Sequence, residues 1–164
     1  MNLLLDINKV SIKNFYYLDT KKNVIIDGNF TKMIYSNENF SMNGSYFEFP
    51  IEINHLEKYG NKTTILFNPQ SKTNSHIIQN FSKLEAAIID YYRQNHQSNS
   101  KIVHTLAKQL NSGSIKIYKE YNYSNIEHVE NEAIDISNIT CILKISGIWE
   151  TVNEIGLTFK LFRV

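Results

Sequence analysis

The stretch KISGIWETVNEIGLTFKLFRV (residues 144–164) decides the interpretation of the fold, because it holds two strand-like runs around one turn. It contains the only tryptophan, Trp149, and it alternates bulky apolar residues with basic ones. If a loop of two or four residues joins the strands, Trp149 lies opposite Gly156, and its ring can cover a position without a side chain. The same register fixes three further pairs: Gly147 with Thr158, Ile145 with Lys160, and Leu143 with Phe162. With this register, neither face of the hairpin is purely apolar. A loop with an odd number of residues would shift the register by one residue and change which side chains share a face.

The order of the other elements predicts an α+β fold in one domain over residues 1–164. Strand-like runs with turn signals cover residues 3–7, 10–12, 23–26, 30–36, 45–53 and 63–67. Apolar spacings of three and four then predict an amphipathic helix that begins after Ser75 and a second helix over residues 102–110. Strands return after Gly113. We predict a mainly antiparallel sheet in an OB-like, partly open barrel with two central helices; the alternative is an open antiparallel sheet covered by helices on one face.

The overall composition excludes several classes of protein. The net charge of +1, from 17 basic and 16 acidic side chains, argues against a strongly basic nucleic-acid binder, although a local basic face stays open. The single cysteine, Cys141, excludes an internal disulfide framework and fits a reducing compartment. Neither a secretion signal nor an apolar run of about 18 residues is present, so we expect an intracellular protein without a membrane partner.

Motifs for catalysis or metal binding are lacking in the sequence. The histidines do not stand at metal-ligand spacing with each other or with Cys141, which we expect to be a small buried apolar residue. The sequence gives no indication that the carboxylate pairs Glu48/Glu52 and Glu150/Glu154 form a catalytic acid–base pair. Glycine-rich phosphate loops do not occur. The sequence therefore predicts a non-enzymatic protein without a cofactor or metal.

Lysine and aromatic residues alternate along several predicted strands, and this is the strongest functional signal. Proteins that hold single-stranded nucleic acid combine a basic groove with rings on which bases stack. We therefore predict sequence-independent binding of single-stranded DNA by an aromatic and basic sheet face. The predicted contact residues are Lys32, Tyr35, Lys116, Tyr118, Lys119, Lys144, Lys160, Phe162 and Arg163. The competing explanation is that aromatic residues are good strand formers and core fillers.

Three segments resemble short, uncharacterised proteins of nucleocytoplasmic large DNA viruses: FTKMIYSNENFSMNGSYFEFPI (30–51), FSKLEAAIIDYY (81–92) and ILKISGIWETVNEIGLTFKLFRV (142–164). The resemblance implies a viral protein of the host cytoplasm or nucleus, and it favours DNA over RNA as the partner. The alternative function is a viral protein-interaction or virion-associated component that does not bind nucleic acid. The acidic segment 127–135 would then meet a partner, or in a DNA-binding protein limit binding. An exposed edge strand could also pair two copies of the chain in a homo-oligomer.

Overall fold

A computed structural model describes residues 3–25, 27–118 and 135–164. The strands are β1 Phe15–Asn23, β2 Gly28–Ser36, β3 Ser41–Asn43, β4 Ser45–Glu48, β5 His55–Tyr59, β6 Lys62–Leu66, β7 Lys101–Val103, β8 Ser114–Ile117, β9 Cys141–Thr151 and β10 Glu154–Arg163. The helices are α1 Lys72–His96 and α2 Thr105–Asn111, with short 3-10 helices at Ile12–Asn14 and Ile136–Asn138.

The strands form one sheet in the order β1-β2-β9-β10-β8-β6-β5, with β3 on β2, β4 on β9 and β7 on β10. Most neighbours are antiparallel, whereas β10 runs parallel to β7 and to β8. The predicted α+β class with a mainly antiparallel sheet is therefore confirmed. The sheet is not closed, since β1 and β5 form its two ends, and the pairing does not confirm a barrel.

Helix α1 packs on one face of the sheet, which we call the α1 face. The ring of Phe81 meets Phe47 edge-on at a centroid distance of 6.0 Å. The Tyr17 hydroxyl donates to the carbonyl of Ile88 at 3.0 Å. These contacts enclose the apolar core between helix and sheet, and they leave the opposite face of the central strands without α1.

The hairpin of β9 and β10 has the predicted register near its turn. Gly156 pairs with Trp149, whose ring covers the glycine, and Thr158 pairs with Gly147. The register then shifts by one residue, because Ser146 forms a bulge in β9. Beyond the bulge, the predicted pairs of Ile145 with Lys160 and Leu143 with Phe162 are wrong, and the observed pairs are Ile145 with Phe159 and Leu143 with Leu161.

A regular hairpin with the predicted register would mix apolar and basic side chains on both faces. The bulge separates them. Ile148, Ile145 and Leu143 all lie fully buried on the α1 face, although a regular alternation would place Ile145 with Gly147 and Trp149. Lys144 and Lys160 consequently lie together on the opposite face.

Several predicted element boundaries are wrong at the beginning of the chain. Residues 3–7 and 10–12 do not form strands; Leu5 makes only an isolated bridge to Phe47. Of the run predicted at 23–26, Asn23 ends β1, and Val24 and Ile25 lie in a turn where they are 98% and 91% exposed; residue 26 lies outside the described residues. The β-branched residues indicated a strand, but the pairing of Asn23 with Gly28 places the tip of the β1–β2 hairpin there.

The helix starts also differ from the sequence prediction. Helix α1 begins at Lys72, and the Ser71 side chain accepts a hydrogen bond from the backbone N–H of Asn74 at 3.2 Å. Ser75 is therefore inside the helix rather than at its N-cap. Residues 102 and 103, predicted as the start of the second helix, instead lie in β7, which pairs with β10.

Candidate nucleic-acid interface

The side of the sheet that faces away from α1 is called the open face here, and four central strands contribute to it. On β9 and β10, Lys144 lies opposite Lys160 and Ile142 lies opposite Phe162. On β2, Lys32 pairs with Gly147 of β9. Leu161 of β10 is the parallel partner of the buried Ile117, so the alternating neighbours of Ile117 point to the open face. The open face therefore brings together these predicted residues: Lys32, Lys116, Tyr118, Lys144, Lys160 and Phe162.

Lys144 and Lys160 form a pair of like charges at the centre of the open face. Like charges that lie directly opposite each other in a sheet are destabilising. Each ammonium group lies instead over a tyrosine ring: Lys144 Nζ is 5.1 Å from the ring centroid of Tyr46, and Lys160 Nζ is 3.8 Å from that of Tyr118. These cation–π contacts partly compensate the repulsion.

Carboxylates do not neutralise this lysine pair within the described ranges. There, the one ion pair is on another part of the molecule, between Lys9 Nζ and Asp6 Oδ2 at 3.7 Å. Lysines outnumber carboxylates among the paired residues of the open face. The lysines are Lys21, Lys32, Lys62, Lys101, Lys116, Lys144 and Lys160, and the carboxylates are Glu48, Glu57 and Glu154. Asp19 lies in a β-bulge of β1 opposite Lys32. The face thus has a local positive charge that the net charge of +1 hides.

Exposed and half-buried rings lie beside the lysines. Tyr118 is 43% exposed, and Phe162 meets it edge-on with a centroid distance of 6.1 Å. Tyr16 of β1 is exposed and pairs with Ile34 on the same face. Tyr118 thus offers an accessible aromatic surface next to the ammonium group of Lys160.

Two residues of the predicted set do not belong to this surface. Tyr35 lies on the α1 face, is only 4% exposed, and packs against Phe15 at a centroid distance of 5.1 Å. Arg163 pairs with Cys141, which also places it on the α1 face. Both residues are out of phase with the lysines of their strands, because side chains alternate between faces. Lys119 and all but the last residue of segment 127–135 lie outside the described residues.

Tyr46 and Tyr16 belong to the open face but were missed in the sequence analysis. Tyr46 pairs with Lys144 from a different, shorter strand, and Tyr16 lies in β1, which the sequence analysis did not identify. Only the pairing of distant strands brings these rings to the lysines. The one local signal for Tyr16 is the alternation of side chains around it in FYYLDTKKN (15–23), which is typical of a strand.

Two titratable groups inside the fold, Cys141 and Glu85, have pKa values that burial raises. Burial raises the pKa of the Cys141 thiol to about 11, so it stays protonated at neutral pH and is a poor nucleophile. Burial likewise raises the pKa of Glu85, although hydrogen bonds from the backbone N–H groups of Ala107 and Leu106 oppose that rise. In the described segments, His, Cys, Asp and Glu do not form a group of three or more that could hold a metal ion. None of the described helices has the length and hydrophobicity needed to cross a bilayer.

Comparison of the chain with protein-family models, curated proteins and solved structures finds no match. The resemblance to proteins of large DNA viruses, and the location in the host cell that it implies, therefore stay predictions. Any function must be argued from the open face itself.

Proposed function

We propose that this protein binds single-stranded DNA through the open face, without catalysing a reaction. The observation that carries the proposal is the pair of Lys144 and Lys160. Among the described residues, each ammonium group lies over a tyrosine ring, and neither lysine forms an ion pair with a carboxylate. Phosphate groups placed at this pair would remove the repulsion between the lysines. The proposal thus gives a reason for placing two like charges directly opposite each other in the free protein.

The rings on the same face favour a single strand over a duplex. In a duplex the base faces are stacked on each other, whereas in a single strand they can stack on protein side chains, at about 1–3 kcal/mol per base. Tyr118 and Phe162 lie beside Lys160, so one stretch of strand can meet phosphate and base contacts together. Contacts of this kind do not depend on base sequence. The preference for DNA over RNA rests on the viral resemblance alone.

A protein-binding role is the second candidate, and one observation favours it. Tyr16 and Leu18 expose large apolar side chains on the edge strand β1. Apolar surface on a strand edge is typical of a site where another chain adds to the sheet. Such a partner would contact β1 and would not need the lysine pair.

The proposed function is tested by fluorescence anisotropy with labelled oligo-dT and a duplex of equal length, each at two or more salt concentrations. We expect tighter binding of the single strand and an affinity that falls as salt rises. The double variant Lys144→Ala/Lys160→Ala should weaken binding. It should also reduce the slope of log K against log salt by about 1.4, because each lost phosphate contact contributes about 0.7 for a single strand.

The matched control is the double variant Lys72→Ala/Lys83→Ala. It has the same net charge as the test variant, but its lysines are exposed on α1, behind the sheet. Its affinity for oligo-dT should stay close to that of the wild type. Equal losses in the two double variants would indicate nonspecific charge attraction, and no binding at micromolar protein would reject the proposed function in favour of a protein partner.

A further inference from the structure

Strand β10 lacks a continuous partner on the side away from β9. On that side, β7 pairs with Glu154 to Gly156 and β8 pairs at Leu161. Residues 157–160 between these two points have no strand partner there among the described residues. Helix α2 fills part of the gap, since the Thr105 hydroxyl donates to the carbonyl of Leu157 at 3.3 Å. The gap opens a cleft beside Lys160, on the side of β10 away from β9.

The cleft has a volume of about 350 Å³. This is near the lower end of ligand pockets, which range over about 300–1,000 Å³. It therefore suits a small group rather than a large ligand. Its aromatic and polar lining includes Tyr118, Trp149, Gln109, Thr158, Lys116 and Lys160.

Several hydrogen-bonding groups of the lining are unused. Across the described residues, the carboxamide of Gln109 and the indole N–H of Trp149 make no hydrogen bond, and Lys116 makes no ion pair. Gln109 and Lys116 are exposed, so water satisfies them in the free protein. A carboxamide supplies one acceptor and two donors, which can pair with the edge of a base, and the ammonium groups of Lys116 and Lys160 can meet its phosphate.

We propose that this cleft is a subsite for one nucleobase of a DNA strand bound on the open face, an inference that rests on the proposed function. The base stacks on Tyr118, its edge bonds to Gln109, and its phosphate meets Lys116 and Lys160. Glutamine in a bidentate contact matches the donor and acceptor pattern of adenine. The subsite therefore adds a preference for adenine at one position to binding that is otherwise independent of sequence.

The first test compares an all-dT oligonucleotide with the same strand carrying one central dA, by anisotropy. The strand with dA should bind at least about fivefold more tightly, the lower end of what one bidentate contact supplies. Gln109→Ala should remove this difference and leave the affinity for all-dT within about twofold, since its base-edge contact is specific to adenine. Gln94→Ala, the same change at an exposed position of α1, should keep the difference. Equal affinities in the wild type, or a difference that survives in Gln109→Ala, would overturn the subsite.

The second test uses Trp149 as a reporter, because it is the only tryptophan in the chain and lines the cleft. Its emission should change on titration with the strand that carries dA, with the same midpoint as the anisotropy. Binding by anisotropy without any change in Trp149 emission would overturn the subsite and leave the proposed function intact. If no oligonucleotide binds, the proposed function fails; titration with free dAMP then tests the cleft alone, and an unchanged emission would reject it too.

Discussion

At the scale of single residues, Glu85 shows how far a side chain's role can depart from its sequence context. It lies in an amphipathic helix, where glutamate is usually solvated, yet it is fully buried with 0% exposure. Its carboxylate accepts hydrogen bonds from the backbone N–H groups of Leu106 at 2.9 Å and Ala107 at 2.8 Å. Helix α2 has no side-chain cap of its own at His104. Glu85 therefore caps α2 from α1 and joins the two helices.

The substitution Glu85→Gln should lower the free energy of unfolding by about 1–3 kcal/mol. A glutamine has only one acceptor oxygen, so one of the two backbone donors of α2 would be left unsatisfied in the interior. Urea unfolding followed by circular dichroism measures the effect. Glu57→Gln, at an exposed position of β5, is the control and should change stability by less than about 0.5 kcal/mol.

The raised pKa of Glu85 predicts how this cost depends on pH. Because burial raises the pKa above its ordinary value of 4.5, the folded state holds the proton more tightly than the unfolded state. The stability that Glu85 contributes is therefore full below pH 4.5 and is lost as pH rises through the raised value. The difference in unfolding free energy between wild type and Glu85→Gln should shrink over that range. A difference that grows with pH would contradict the assignment.

Two strand glycines should differ in how they tolerate alanine. A Cβ atom at Gly147 would collide with the backbone carbonyl of Thr31, whereas one at Gly156 would meet the ring of Trp149, with Nε1 at 2.8 Å. A half-buried ring can rotate away, but a backbone carbonyl in a ladder cannot move without breaking hydrogen bonds. We expect losses of about 1–3 kcal/mol, with Gly147→Ala at the upper end and Gly156→Ala at the lower. The order of the two urea midpoints checks this, and the reverse order would contradict it.

At the scale of elements, the start of α1 depends on one cap and one tertiary contact. Ser71 caps the first turn, and the buried Asn74 side chain bonds to the backbone of Glu52 and Asn68. The sequence pattern placed the start at Ser75 because the apolar spacing begins there. The true start lies four residues earlier, where the first turn binds neighbouring loops instead of the core.

The difference between the predicted and the observed start of α1 can be tested by substituting Ser71 and Ser75 separately with alanine. Ser71→Ala should cost about 1 kcal/mol, because it removes the acceptor for the N–H of Asn74. Ser75→Ala should be neutral or slightly stabilising, since Ser75 is exposed inside the helix and alanine is the better helix former. Thermal unfolding of both variants measures the difference. Equal losses, or a larger loss at Ser75, would contradict the observed cap.

At the scale of the whole molecule, the sheet divides the chemistry of the chain between two faces. The α1 face holds the core and the buried polar groups, whereas the open face carries the lysines and exposed rings. The end strand β5 carries the charged residues Glu57 and Lys58, which is typical of edges that avoid pairing with other chains. Binding on the open face should therefore be separable from folding.

The substitution Lys160→Gln tests this separation. It relieves a like-charge pair, a gain of about 0.2–1 kcal/mol, and it loses a cation–π contact of about 0.5–1 kcal/mol with Tyr118. These effects nearly cancel, so the unfolding free energy should change by less than about 0.5 kcal/mol. The affinity for oligo-dT should nevertheless fall. A stability loss above about 2 kcal/mol would show that Lys160 is mainly structural.

The candidate site was only partly predictable from the sequence. Alternation within one strand placed Lys116 with Tyr118 and Lys160 with Phe162, because residues two apart share a face whatever the pairing. The same rule could have separated Tyr35 from Lys32 and Arg163 from Lys160, since each pair is three residues apart. The tyrosine partner of Lys144 and the cleft beside β10 needed the positions of strands distant in the chain.

The sequence by itself determined the α+β class, the turn at residues 151–154 and the cover of Gly156 by Trp149, because periodicity and a short hairpin loop are local properties. Tertiary structure decided the bulge at Ser146, the strand at Lys101–Val103 and the burial of Glu85. Each of these depends on a partner many residues away, whose position is set by packing against α1 and β10. The open face depends on local sequence and on tertiary structure. Local alternation orients its lysines, and the bulge alone brings Lys144 opposite Lys160.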